Sequence, residues 1–249
     1  MLDHPLAVLP LTFVVLSACA WLGVLAFSKR APADAKSGDF EIVLAATLTL
    51  LGLIIGFSFS MAVNRYDQRK NYEEAEANAI GTEYARAGLL PAAAAAHTRL
   101  LLKRYLERRI LFYTTRDREQ LRQLDAQTVD LQQQLWSGVE QAASAAPTPV
   151  VALAVWGMND VLNSQSYTQA AWWNRIPTEA WELMALIAMV CNGLFGYTVR
   201  GLKTRAVLLA VLPLVVALSF FLIADIDSPR DGMVLIAPQN LIYLASGLR

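Results

Sequence analysis

Residues 41–90 read EIVLAATLTLLGLIIGFSFSMAVNRYDQRKNYEEAEANAIGTEYARAGLL. The first half, Ile42 to Val63, is an unbroken apolar run. It passes without punctuation into Asn64-Arg65-Tyr66-Asp67-Gln68-Arg69-Lys70 and then into a polar, helix-favouring segment that ends at Leu90. No proline stands between Pro32 and Pro91, so nothing forces a stop. A single helix of about 50 residues at about 1.5 Å each reaches roughly 75 Å. A bilayer core is only about 30 Å thick, so the expectation is a helix that leaves the membrane and continues in water.

Outward from this stretch, the charge distribution supports the same division. The chain is 55% hydrophobic and 17% charged, with a mean hydropathy of +0.38, which marks a membrane protein. Most ionisable residues fall between Arg65 and Glu140, and the flanking thirds are nearly bare. Formal net charge is zero, so no nucleic-acid partner is expected. Cys19 and Cys191 lie in apolar runs, and His4 and His97 are isolated. That excludes a disulfide framework and offers no metal-ligand spacing. No Walker loop, dinucleotide fingerprint, nucleophile elbow or zinc-protease motif occurs, and Gly81 and Gly88 do not form a phosphate cradle. Neither an enzyme nor a cofactor is expected.

Three further apolar runs complete four spans: Leu6–Phe27, Thr178–Val199 and Val207–Ala224. Met1-Leu2-Asp3-His4 lacks the basic start of a signal peptide, so the first run reads as a retained helix. The fold class expected is all-α: an integral membrane protein of four transmembrane helices with a helical extramembrane domain between the second and third. Its divisions are 1–63 for spans one and two, 64–176 for the helical domain, 177–224 for spans three and four, and 225–249 for the tail.

Within the second span, Thr49, Gly52, Gly56 and Ser60 recur at spacings of three, four and four, which places them on one helical face. Two readings stand: a small-residue face that packs another helix, and the lining of a narrow pore, with Arg65 and Arg69 drawing anions to its mouth. In the helical domain, Pro91 restarts a helix. His97–Tyr113 alternates Leu101, Tyr105, Ile110 and Phe112 with Arg99, Lys103, Arg104, Arg108 and Arg109. This basic amphipathic helix either pairs with Glu73, Glu74, Glu76 and Glu83 or presents a basic surface to lipid headgroups and anions. Glu76 and Asn78 are expected to hold the domain together, with Arg99, Arg104 or Arg108 as partner of Glu76. Arg116–Ala146 reads as a helix, compatible with a short coiled-coil arm. Pro149–Asn163 reads as an amphipathic helix. Trp172, Trp173 and Trp181 read as an interfacial aromatic belt. The tail carries Asp225-Ile226-Asp227-Ser228-Pro229-Arg230-Asp231-Gly232, a turn in which Arg230 either pairs with Asp225, Asp227, Glu179 or Glu182 or is simply solvated. A short strand is expected at Met233–Ile236.

The block Arg65-Tyr66-Asp67-x-Arg69, followed by Glu76-Ala77-Asn78-Ala79-Ile80-Gly81-Thr82-x-Tyr84-x-Arg86, resembles the bestrophin-like membrane protein family of bacteria and plants. The resemblance extends to Leu89-Leu90-Pro91, to Pro177–Tyr197 and to the Asp225–Gly232 turn. It implies an oligomeric ion channel with four spans around a central pore, in a lipid bilayer, with inorganic ions as its cargo. The other reading is a non-conducting membrane scaffold or sensor whose helical domain binds a partner protein. Orientation draws opposed arguments. Lys29, Arg30 and Lys36, with Arg200, Lys203 and Arg205, place both short loops in the cytoplasm by the positive-inside rule. The N-terminus and helical domain of an inner-membrane protein then lie outside. The resemblance, and Arg65, Arg69 and Lys70 beside span two, favour a cytosolic helical domain. The expectation taken forward follows the short loops.

Overall fold

A computed structural model describes residues 5–30, 37–198 and 205–248. These residues form eight α-helices and no strand: α1 (Pro5–Arg30), α2 (Ser37–Arg86), α3 (Ala92–Thr114), α4 (Arg118–Ala145), α5 (Pro149–Trp173), α6 (Thr178–Thr198), α7 (Arg205–Asp227) and α8 (Gln239–Gly247). A 3-10 turn, Ala87–Leu89, joins α2 to α3. Four stretches contain helix long and apolar enough to cross a membrane: Pro5–Ala26, Glu41–Leu89, Pro149–Thr198 and Leu209–Asp227. The described residues are all-helical, with four candidate membrane-spanning helices. Two compact units are formed, one from the described parts of Met1–Tyr66 and Arg175–Leu235, the other from Asp67–Asn174 and Ile236–Arg249. α2 contributes to both, and the tail is divided between them.

In the first unit, α1, α6 and α7 pack with the apolar part of α2 around Leu16, Leu51, Met184, Ala188, Cys191, Val216 and Phe220. A smaller cluster joins Ala62, Ile176 and Ile223. The approach of α1 to α6 depends on glycine. A Cβ on Gly196 would overlap the Ala20 carbonyl oxygen, and one on Gly23 would overlap that of Gly193. Small residues let two backbones meet where lipid supplies no hydrophobic drive. Gly193 itself is not constrained in this way, for its Cβ would lie 3.9 Å from the Cys19 carbonyl, an ordinary contact. Gly196→Ala should therefore cost about 1–3 kcal/mol through overpacking. Gly193→Ala, three residues away, should be neutral or gain up to about 1 kcal/mol in helix propensity. Melting temperatures in detergent compare the two, and equal effects would contradict the glycine contact.

The second unit is a helical bundle built on amphipathic spacing. α4 buries Leu124, Thr128, Leu131, Leu135, Val139 and Ala142 on one face. That face packs on α3 and α5, so α4 is a bundle member and not a projecting coiled-coil arm. Asp117 caps α4 by accepting from Gln120 N at 2.8 Å, and Thr148 caps α5 with Pro149 in its first turn. α5 continues ten residues past the Asn163 expected from sequence, to Trp173. The aromatic-belt reading is corrected here. Trp172 is buried against Phe112 and Tyr113, with ring centroids 5.1 and 5.5 Å away. Trp181 packs on Phe220 in the other unit. Only Trp173, 74% exposed, has the surface position expected. Met233–Ile236 is not a strand, and the amides of Met233 and Val234 are taken by the Asp225 carboxylate. α1 runs past Phe27 to Arg30, and α2 begins at Ser37, before the apolar run that opens at Ile42. The side chains of Lys29, Arg30, Lys36, Arg200, Lys203 and Arg205 lie outside the described residues.

Candidate functional site

Thr49, Gly52, Gly56 and Ser60 are all exposed on α2. No atom lies within 4 Å of where a Cβ on Gly52 or Gly56 would stand. These residues therefore pack no helix of their own chain among the described residues. The exposed arc of α2 has a second strip beside them, with large apolar side chains at Leu50, Leu53, Phe57 and Met61, 45, 53, 63 and 44% exposed. A lipid-facing surface has no use for glycine, whereas a close backbone neighbour or a narrow aqueous lumen does.

The two arginines after this strip both have partners within the protomer. Arg65 Nη1 lies 3.7 Å from Asp227 Oδ1. Arg69 is wholly buried, and its Nε and Nη2 each donate at 3.0 Å, to the carbonyls of Ala171 and Asn174 at the end of α5. A cation there satisfies helix C-terminal carbonyls and complements the dipole. Asp67 and Lys70 are exposed and Tyr66 is half-buried.

Farther along α2, three glutamates face inward. Glu73 accepts from Leu241 N at 3.0 Å and Asn240 Nδ2 at 2.6 Å, and so caps α8. Gly81 lets that helix approach, since a Cβ there would lie 3.0 Å from Leu244 Cδ1. Glu76 is the hub. Arg109 Nε donates to its Oε1, while Arg109 Nη2, Tyr113 OH and Thr168 Oγ1 each donate to Oε2 at 3.2 Å. Burial works against the Arg109 charge, but Glu76 outweighs it and the guanidinium pKa is raised. Burial, then Glu76, raises the Tyr113 and Tyr105 hydroxyls as well. The partner of Glu76 is thus Arg109, not Arg99, Arg104 or Arg108. Thr98, Leu102, Tyr105, Arg109 and Phe112 are all buried and share the inner register of α3, with Arg109 in line with the apolar residues. Arg99 instead donates to the Tyr84 carbonyl at 3.2 Å and lies over its ring. Asn78 is exposed, and Arg86 is half-buried beside Gly157.

The tail turn is buried, which corrects the solvated reading. Asp225, Asp227 and Ser228 are 2, 5 and 2% exposed. Asp225 accepts from Met233 N at 2.6 Å and Val234 N at 2.9 Å, taking two of the amides that a ladder would use. Gly232 permits this, because a Cβ would come 2.5 Å from the Asp225 carbonyl oxygen. Asp227 accepts from Ile176 N at 3.0 Å and faces Arg65. Pro229 is buried and Arg230 half-buried. Among the described residues, no cluster of three or more metal-ligating side chains occurs.

The Bestrophin-like domain family model matches residues 11–241. Among solved structures, a bacterial bestrophin homologue from Klebsiella pneumoniae is similar at TM-score 0.67 and 12% identity, covering 96% of each chain. A point variant of a bestrophin homologue from the same organism gives 0.65 at 12% identity, over 95% of this chain and 98% of that one. A point variant of a crystallised membrane protein gives 0.63 at 13% identity, over 96% and 97%. No curated protein matches. The inward glutamates of α2 and the buried Asp225–Gly232 turn thus stand within a matched segment that spans nearly the whole length, and the chain belongs to the bestrophin-like family.

Proposed function

We propose that this protein is a homo-oligomeric ion channel of bestrophin type, whose ion pathway is lined by Thr49, Gly52, Gly56 and Ser60 of α2. The observation that carries the reading is the unoccupied state of this strip in one protomer, beside an apolar strip suited to lipid or a neighbouring subunit. Copies arranged about an axis bring such strips together, and hydroxyls and exposed backbone then face water. Family membership supports the oligomer and the bilayer as setting. With Arg65 and Arg69 engaged internally, the selectivity of the pathway does not rest on them. Purified protein in planar bilayers should show discrete conductance steps. Silence would favour the scaffold reading, in which the helical domain binds a partner protein.

The proposal includes an inner-membrane location, with the helical domain, 64–176, inserted between spans two and three and standing clear of the bilayer. By the short-loop charge rule both basic loops are cytoplasmic. A cysteine introduced as Lys36→Cys should then react with an impermeant thiol reagent only after the membrane is breached. Labelling in intact cells would reverse the orientation.

A further inference from the structure

One buried carboxylate of the helical unit takes no part in its ion pairs. Glu83 of α2 is 0% exposed, and neither of its carboxylate oxygens has a hydrogen-bond partner. α5 makes room for it with a glycine. A Cβ on Gly157 would overlap Glu83 Oε2 and come 2.7 Å from Arg86 Nη1. The charges facing this seat are Arg86 on the same helix and Asp160 on α5, one turn beyond Gly157. On α3, Arg99 and Lys103 face the next residue, lying 5.3 and 5.8 Å from the centroid of the Tyr84 ring. Burial outweighs the attraction of Arg86, and Asp160 adds repulsion, so the Glu83 carboxyl is pushed up to about 8. An ionised carboxylate with no donor in such a seat is strongly disfavoured, and the group holds a proton instead.

We propose that Glu83 is a proton-binding switch of the helical unit: neutral, it sits in the Gly157 notch and lets α5 close on α2, and ionised, it leaves the notch and loosens that contact. The proton passes to bulk water, and Arg86 is the nearest cation to receive the freed carboxylate. The sign of the coupling follows from linkage. An acid whose folded pKa lies above its unfolded value binds its proton more tightly when folded. The stability of the unit therefore falls as pH rises from about 4.5, the ordinary glutamate value, to about 8, and levels off above.

The test uses full-length protein in lipid nanodiscs, with infrared titration of the protonated carboxyl band and hydrogen exchange of α5 peptides corrected for intrinsic rates. Wild-type protein should lose a protonated-carboxyl band with a midpoint about pH 8, and α5 should lose protection over the same range. Glu83→Gln should remove both steps. Asp160→Asn, which takes away the repulsion, should move the midpoint downward, and it keeps the test decisive if Glu83→Gln does not fold. A band or α5 transition that persists in Glu83→Gln, or a midpoint unmoved in Asp160→Asn, would overturn the proposal.

Discussion

Arg109→Ala should destabilise the helical unit by about 3–5 kcal/mol, the cost of leaving one member of a buried ion pair without the other. Arg109 and Glu76 are both 0% exposed, so the pair is shielded from bulk water. Tyr113 and Thr168 remain as donors to Glu76 Oε2, but both are uncharged hydroxyls. They bring no positive charge, so the buried carboxylate is left without its counter-ion. Glu76→Ala should be as damaging, since it strands Arg109. The double change Glu76→Leu with Arg109→Met should recover much of the loss, because apolar replacement of a whole buried pair is often neutral. Asn78→Ala and Arg104→Ala should change stability by no more than about 0.5 kcal/mol, both side chains being exposed. Urea unfolding followed by circular dichroism in detergent measures all of these. Single changes at Glu76 and Arg109 within about 1 kcal/mol of wild type would show that the pair does not hold the unit together.

The contrast between Arg109 and its neighbours shows which parts of the fold are legible from sequence. The long helix was legible because its evidence is local: no proline from Ser37 to Arg86, and apolar residues giving way to good helix formers. The breaks at Pro91 and Pro149 were legible for the same reason. The family block was legible too, and its Glu76 is buried. Asn78, at the heart of that block, faces out. Reading the basic residues of α3 as one solvated face puts Arg99, Arg104 or Arg108 beside Glu76, whereas the helical register of Leu102, Tyr105, Arg109 and Phe112 marks Arg109 as the inward one. Other features were not legible, because they depend on which elements meet. Gly23 and Gly196 matter only once α1 meets α6, and Gly157 only once α5 meets Glu83. Likewise, nothing local says that Asp225 takes the amides of Met233 and Val234 in place of a strand ladder.

The central claim is that the small-residue strip of α2 lines the ion pathway, and Ser60 is the position that tests it. In a background carrying Cys19→Ala and Cys191→Ala, Ser60→Cys places one thiol on this strip. Neither native cysteine is in a disulfide, and both are replaced so that the signal has a single source. The decisive measurement is conductance in planar bilayers before and after a charged, water-soluble thiol reagent is added. If the strip faces water in the assembled channel, the thiol reacts and conductance falls by more than half, because a charged adduct obstructs a narrow lumen. A thiol that stays unreactive while conductance persists, together with loss of the oligomer in Gly56→Leu, would show that the strip packs helices and does not line the pathway.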